Sequence, residues 1–180
     1  MASVTDQRFP LFLCLLASLL LARPAAAEDY LSQADFLKQA FAAVTPEVKT
    51  LWLNNDHKQA ATSIFGHAYN GMRVRYWQGE GSRRAWIVEE IGKERPISIG
   101  VITNGKEVKD VVILAFRESR GWEVKNRFFT EQFANATLTT DQNLDRKVDG
   151  ITGATLSVRA VTSSVRWVLY LNSQLDLPAS

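Results

Sequence analysis

Two apolar arms, Ile97–Thr103 and Val108–Phe116, meet at Asn104-Gly105 and commit the middle of the chain to an antiparallel hairpin. Asn-Gly between β-prone runs is a strong local hairpin signal, because both residues tolerate the positive φ that a tight turn demands. In the second arm Val112, Leu114 and Phe116 alternate with Val111, Ile113 and Ala115, so both faces are apolar. Such a strand needs cover on both sides. The rest of the chain has to supply it.

The neighbouring segments read accordingly. Arg73–Trp77 and Ala85–Ile91 are rich in β-branched and aromatic residues and flank the turn-prone Gly79-Glu80-Gly81-Ser82. Lys93-Glu94-Arg95-Pro96, after Gly92, reads as a turn, and Gly121-Trp122-Glu123-Val124 as a further short extended piece. Phe128, Phe129 and Phe133 suit a short helix ending near Asn135. Upstream, Phe36, Ala40 or Phe41, Val44 and Val48 recur at helical spacing across Glu28–Asn54, with Ser32 as a cap. Pro46 leaves open one long helix or two short ones. Residues 57–66 form another helical turn closed by Gly66. Val158, Val161, Val165, Val168, Leu169 and Leu171 share one stripe of a final helix over Ser157–Leu171.

With 180 residues, 46% hydrophobic and 22% charged, the chain has the composition of an ordinary globular protein, which excludes disordered, collagen-like and polytopic membrane classes. The expected fold class is α+β, a mostly antiparallel sheet with flanking helices. Residues 28–84 are expected to pack, as a helical and extended segment, on a domain spanning 85–180. The net charge of +2 gives no broad attraction to nucleic acid, so none is expected as a partner.

The first 27 residues have a different character. Arg8, the apolar run Phe9–Leu21 and the small-residue stretch Ala25-Ala26-Ala27 follow the layout of a secretory signal peptide. The run is shorter than the ~20 residues of a bilayer span, although the weak n-region, where Asp6 offsets Arg8, leaves an uncleaved anchor open. Cleavage after Ala27 puts the chain in the periplasm or on the extracytoplasmic face of a membrane. The one cysteine, Cys14, lies in this leader. The processed chain then has no disulfide, thiolate or cysteine-bound haem chemistry.

The segment that carries chemistry is Asp149-Gly150-Ile151-Thr152-Gly153-Ala154-Thr155-Leu156-Ser157, a run of small and hydroxyl residues leading into the final helix. Backbone amides at a helix N-terminus and the positive end of its dipole suit a phosphate. The residues alone fit a phosphate site or merely a capped helix. They lack the Gly-Lys pair of a Walker loop and the Gly-x-Gly-x-x-Gly of a dinucleotide site.

Asp149-x-x-Thr152-Gly153-Ala154-Thr155 resembles, position for position, the flavinylation motif of the FMN-binding domain family. That family includes flavin-carrying subunits of sodium-pumping NADH:quinone oxidoreductase and Rnf complexes, and small exported flavoproteins of about this size. The similarity runs from about Trp86 to Leu171 and includes the hairpin and Glu118-Ser119. It implies FMN, bonded through its phosphate to Thr155 by a magnesium-dependent flavin transferase that uses FAD. By the same resemblance Asp149, Ile151, Thr152, Gly153, Ala154 and Ser157 belong to the cofactor site. Asp149 is expected to hold the loop or to serve the transferase, since its charge would repel a phosphate. Glu118 and Trp122 are candidates on the ring side, each with a plain structural alternative: a solvated strand end and a core or edge aromatic. Arg117, Arg120 and Lys125 either screen the phosphate or form an ordinary charged surface.

The Rnf and sodium-pump members carry a glycine-rich turn where this chain has Ser119-Arg120-Gly121-Trp122, so the ring side is expected to be built differently. The reading is an electron carrier between a membrane or soluble redox partner and an extracytoplasmic acceptor, with no catalytic or metal-binding residues of its own. The alternatives are a small flavin-dependent reductase working through Trp122 and Arg120, or a cofactor-free interaction module.

Overall fold

The computed structural model describes residues 28–42 and 44–175; the leader and its cleavage site lie outside them. One antiparallel sheet organises the chain. Its strands are β1 (Glu28–Asp29), β2 (Glu47–Trp52), β3 (Arg73–Gln78), β4 (Arg83–Ile91), β5 (Pro96–Asn104) and β6 (Glu107–Phe116), in the order β1-β6-β5-β4-β3-β2. The helices are α1 (Gln33–Phe41), α2 (Asn55–Phe65), α3 (Arg127–Thr130) and α4 (Thr155–Leu175). The α+β reading holds. The sheet is continuous across residue 84, because β3 and β4 pair from Tyr76 with Trp86 to Gln78 with Arg84. No helix among the described residues is long and apolar enough to cross a membrane.

The hairpin of β5 and β6 forms as expected, with one shift. Asn104 pairs with Glu107, and the turn itself is Gly105-Lys106, with φ +57° at Gly105. A glycine with positive φ at the first central position is the type II′ solution. The apolar arms do face two cores. Val111, Ile113 and Phe116 join the larger core under α2 and α4, whereas Leu114 and Val112 face α1. The register shift between Ser98 and Ile99, where Leu114 is the extra residue, turns Phe116 onto the same side as Ile113. A bulge of this kind re-aims the side chains beyond it.

Three sequence expectations change. The helix expected over Glu28–Asn54 is α1 followed by a strand: α1 already closes at Ala42, which stands at φ +53°, and after Pro46 strand β2 pairs with β3 from Glu47–Gln78 to Trp52–Arg73. Val44 and Val48 mimicked a helical stripe but are exposed, at 46% and 57%. The extended piece expected at 121–124 is a 3-10 turn, Trp122–Lys125, because Gly121 stands at φ +87° and reverses the chain there. The last helix begins at Thr155, so the hydroxyl residue read as part of the loop is in the helix's first turn.

Each helix is fixed by specific contacts. Ser32 Oγ accepts the Asp35 N–H at 3.1 Å and caps α1. Asn54 and His57 form a reciprocal capping box at α2. The Phe36 ring lies so close on Gly100 of β5 that a Cβ there would stand 2.6 Å from it. Helix α4 crosses the opposite face with Val161, Val165, Trp167, Val168 and Leu171 buried. Near its C-terminal end, Asn172 Oδ1 accepts from Arg84 Nη1 (3.0 Å) and Thr103 Oγ1 (3.1 Å), and its Nδ2 donates to the Gly105 carbonyl (2.6 Å).

Candidate functional site

The opposite end of α4 is built differently. Ile151-Thr152-Gly153-Ala154 is a β-turn closed by Ala154 N–H donating to the Ile151 carbonyl at 3.0 Å. Gly153, in its third position, stands at φ +82°, as a type II turn requires. Ala154 then takes the cap position, its carbonyl accepting from Val158 N–H at 2.9 Å. Alanine has no side-chain acceptor, so this helix starts without the cap that Ser32 and Asn54 give to α1 and α2. Its first amides and the positive end of the dipole point outward.

Facing this helix end is the loop after β6, held by Glu118. Its Oε1 accepts backbone N–H groups from Lys93, Glu94 (2.7 Å) and Arg95 (2.9 Å) in the β4–β5 turn. Burial pushes the Glu118 carboxyl up. The amides of Arg95, Glu94 and Lys93, with the Lys93 charge, outweigh that and hold it below its ordinary range. The carboxylate is thus a latch that brings Lys93 to the site.

Gly121 seats the same loop on α4. A Cβ there would lie 2.4 Å from Ser157 Oγ, and its φ already lies in the left-handed region. The segment returning to α4 is stapled in turn. Arg146 donates to the carbonyls of Ala134 (2.8 Å) and Asn135 (2.9 Å). The Arg146 hydrogen bond foremost, against some burial and with Thr137 adding to it, holds the Asp145 carboxyl at about 2.

Between helix and loop opens a cleft of about 560 Å³, lined by Gly153, Ala154, Thr155, Leu156 and Ser157 on one side and Lys93, Glu118, Ser119 and Arg120 on the other. Thr155 and Leu156 are exposed at its lip, while Ala154 and Ser157 are buried beneath. Arg120 is exposed and forms no hydrogen bond or ion pair among the described residues, and the Thr155 hydroxyl is likewise unengaged. Two cations, an uncapped helix start and exposed hydroxyls line one volume, a donor set that suits a phosphate group.

Of the residues singled out in the sequence, Thr155, Ala154, Gly153, Ser157 and Glu118 line this cleft. Asp149, Ile151, Thr152 and Trp122 do not. Asp149 is exposed, and its backbone N–H donates to Gln132 Oε1 at 2.6 Å, which fixes the loop. Ile151 is half-buried against the larger core. Trp122 is 47% exposed, with Lys125 Nζ 5.3 Å from its ring. Of the pair on which the reductase alternative rested, only Arg120 reaches the cleft. Lys93, Ser119 and Leu156 are additions. Lys93 read as a plain turn residue because the sequence does not show that its turn folds over the end of β6.

Comparison with known proteins agrees with this geometry. Among curated proteins, none matches the chain. The family model of the FMN-binding domain matches residues 92–169, a stretch that runs from the glycine beside the latch, through the hairpin and both walls of the cleft, to the buried Leu169 of α4. Residues 92–169 are thus matched to the FMN-binding domain family, which supports reading the chain as a flavin-binding protein.

Proposed function

We propose that this chain is an exported electron-transfer flavoprotein that carries FMN bonded through its phosphate to Thr155. The observation that carries the reading is the position of Thr155: an exposed, unengaged hydroxyl on the first turn of an uncapped helix, at the lip of the cleft. A flavin transferase using FAD and magnesium would form the bond from Thr155 Oγ1 to the FMN phosphorus. The diphosphate linkage of FAD breaks in the same step, AMP leaves, and the hydroxyl proton is released.

The residues present fit that group. The α4 amides, Lys93 and Arg120 would hold the phosphate oxygens, and the cleft volume lies within the ~300–1,000 Å³ usual for small-molecule sites. FMN supplies the redox chemistry when bound. The chain's own work is to fix it, exclude a competing cap from the helix start and leave it approachable. Lys93, Ser119, Arg120, Thr155 and Leu156 are all exposed, which suits hand-over to a membrane or soluble redox partner. The leader of residues 1–27 supports an extracytoplasmic setting, where a covalent bond prevents loss of cofactor.

Intact mass of the chain produced alongside such a transferase, followed by peptide mapping, tests both parts. The expected product starts at Glu28 and gains one FMN less one water on the peptide containing Thr155. Thr155→Ala is expected to carry no covalent flavin and to shift stability by less than about 0.5 kcal/mol, because the residue is exposed. Acid-stable flavin on the Thr155→Ala chain would refute the attachment site.

A further inference from the structure

The outer strand β2 lies at the far side of the sheet from the cleft, and its hydrogen bonding fixes which way its backbone faces. Leu53 N–H donates to the Met72 carbonyl at 3.0 Å. The register continues through Leu51–Val74, Lys49–Tyr76 and Glu47–Gln78. Ladder bonds alternate along an antiparallel pair, so these odd-numbered residues face β3. The N–H and C=O groups of Val48, Thr50 and Trp52 therefore face outward from the sheet edge. Their side chains are exposed too, Val48 at 57% and Trp52 at 62%. An open edge with apolar side chains is a template for another strand.

We propose that a second copy of this chain pairs with β2, antiparallel, about a two-fold axis through Thr50. A two-fold contact must be complementary to itself, and this register is. Thr50 meets the partner's Thr50, and Val48 meets the partner's Trp52 on both sides of the axis. Thr–Thr and aromatic–β-branched pairs are both favourable across strands. On the other face Lys49 lies opposite the partner's Leu51, and Glu47 opposite the partner's Leu53.

Charge selects the register. Moving the axis to Lys49 sets the two Lys49 side chains directly opposite and puts Trp52 against the partner's Pro46, which has no N–H to give. Moving it to Leu51 sets Val48 against the partner's Asn54, beyond the strand and already engaged as the cap of α2. In the register centred on Thr50, each Lys49 keeps its own Glu47 at 3.1 Å. The two sheets then run on as one, with both flavin clefts at the outer ends.

Sedimentation of the purified chain up to about 100 μM, where a contact of μM affinity is saturated, should show a species of twice the monomer mass. Thr50→Pro removes an outward N–H that β3 does not use, so the variant should keep its circular dichroism and flavin content and sediment as monomer at every concentration. In a Cys14→Ser background, Thr50→Cys should link into dimers under oxidised glutathione, since directly paired Cα atoms lie ~5.5 Å apart. Val48→Cys should not link, because the two copies of that residue lie four positions apart along the strands, ~13 Å. A wild-type chain that stays monomeric, a Thr50→Pro chain that still dimerises, or equal linking at positions 48 and 50 would each overturn the proposal.

Discussion

Gly121 shows how much of a site can rest on one residue without a side chain. Two independent restrictions meet there, a left-handed φ of +87° and Ser157 Oγ at 2.4 Å from where a Cβ would stand. Gly121→Ala should therefore lower stability by roughly 1–3 kcal/mol, measured by chemical denaturation. It should also reduce flavin loading more than the stability loss explains, because the displaced loop carries Ser119 and Arg120. Removing the hydroxyl as well, in Gly121→Ala/Ser157→Ala, should recover part of the loss by relieving the contact but not the φ strain. The sequence motif made Thr155 and its neighbours legible because they are contiguous. Gly121 and Lys93 were not legible as site residues, since their roles arise where separate loops meet.

The element that brings Lys93 to the cleft wall is the β4–β5 turn, closed on Glu118. A carboxyl whose folded pKa is lowered contributes stability above its unfolded value, and that contribution is lost as pH falls through the folded one. The latch should be fully made above the ordinary value of 4.5 and open progressively below it. Wild-type flavin retention or thermal stability, followed against pH, should fall in that acid range. Glu118→Gln should start lower and lose the pH dependence there, because a neutral amide oxygen accepts the same three N–H groups more weakly. A Glu118→Gln profile that tracks wild type would assign the acid transition elsewhere. At this scale the hairpin, β3, β4 and α4 were readable from periodicity. Residues 47–52 were not: Val44 and Val48 stand at helical spacing but are exposed, one in the loop before β2 and one on the edge strand, where pattern carries no burial information.

The molecule as a whole is a sheet clamped between unequal cores. The smaller one depends on α1, whose Phe36 is fully buried over Gly100. Phe36→Ala should cost about 3–5 kcal/mol and, by loosening β5 from that side, should shift the denaturation midpoint of the whole domain in a single transition. A separate early transition confined to residues 28–84 would instead mark that part as an independent unit. The larger core sets the aim of the cleft. Asn172 ties the last turns of α4 to β4, β5 and the Gly105 turn, while Gly121 and Ser157 fix the first turn. Each residue along a helix turns its side chain by ~100°. One residue inserted between those anchors would leave the Asp149–Thr155 motif intact to the letter and still swing its threonine away from the cleft. The threonine's bearing is thus set by the count of residues behind it, and a chain can keep the motif unchanged while losing the geometry that places it at the cleft.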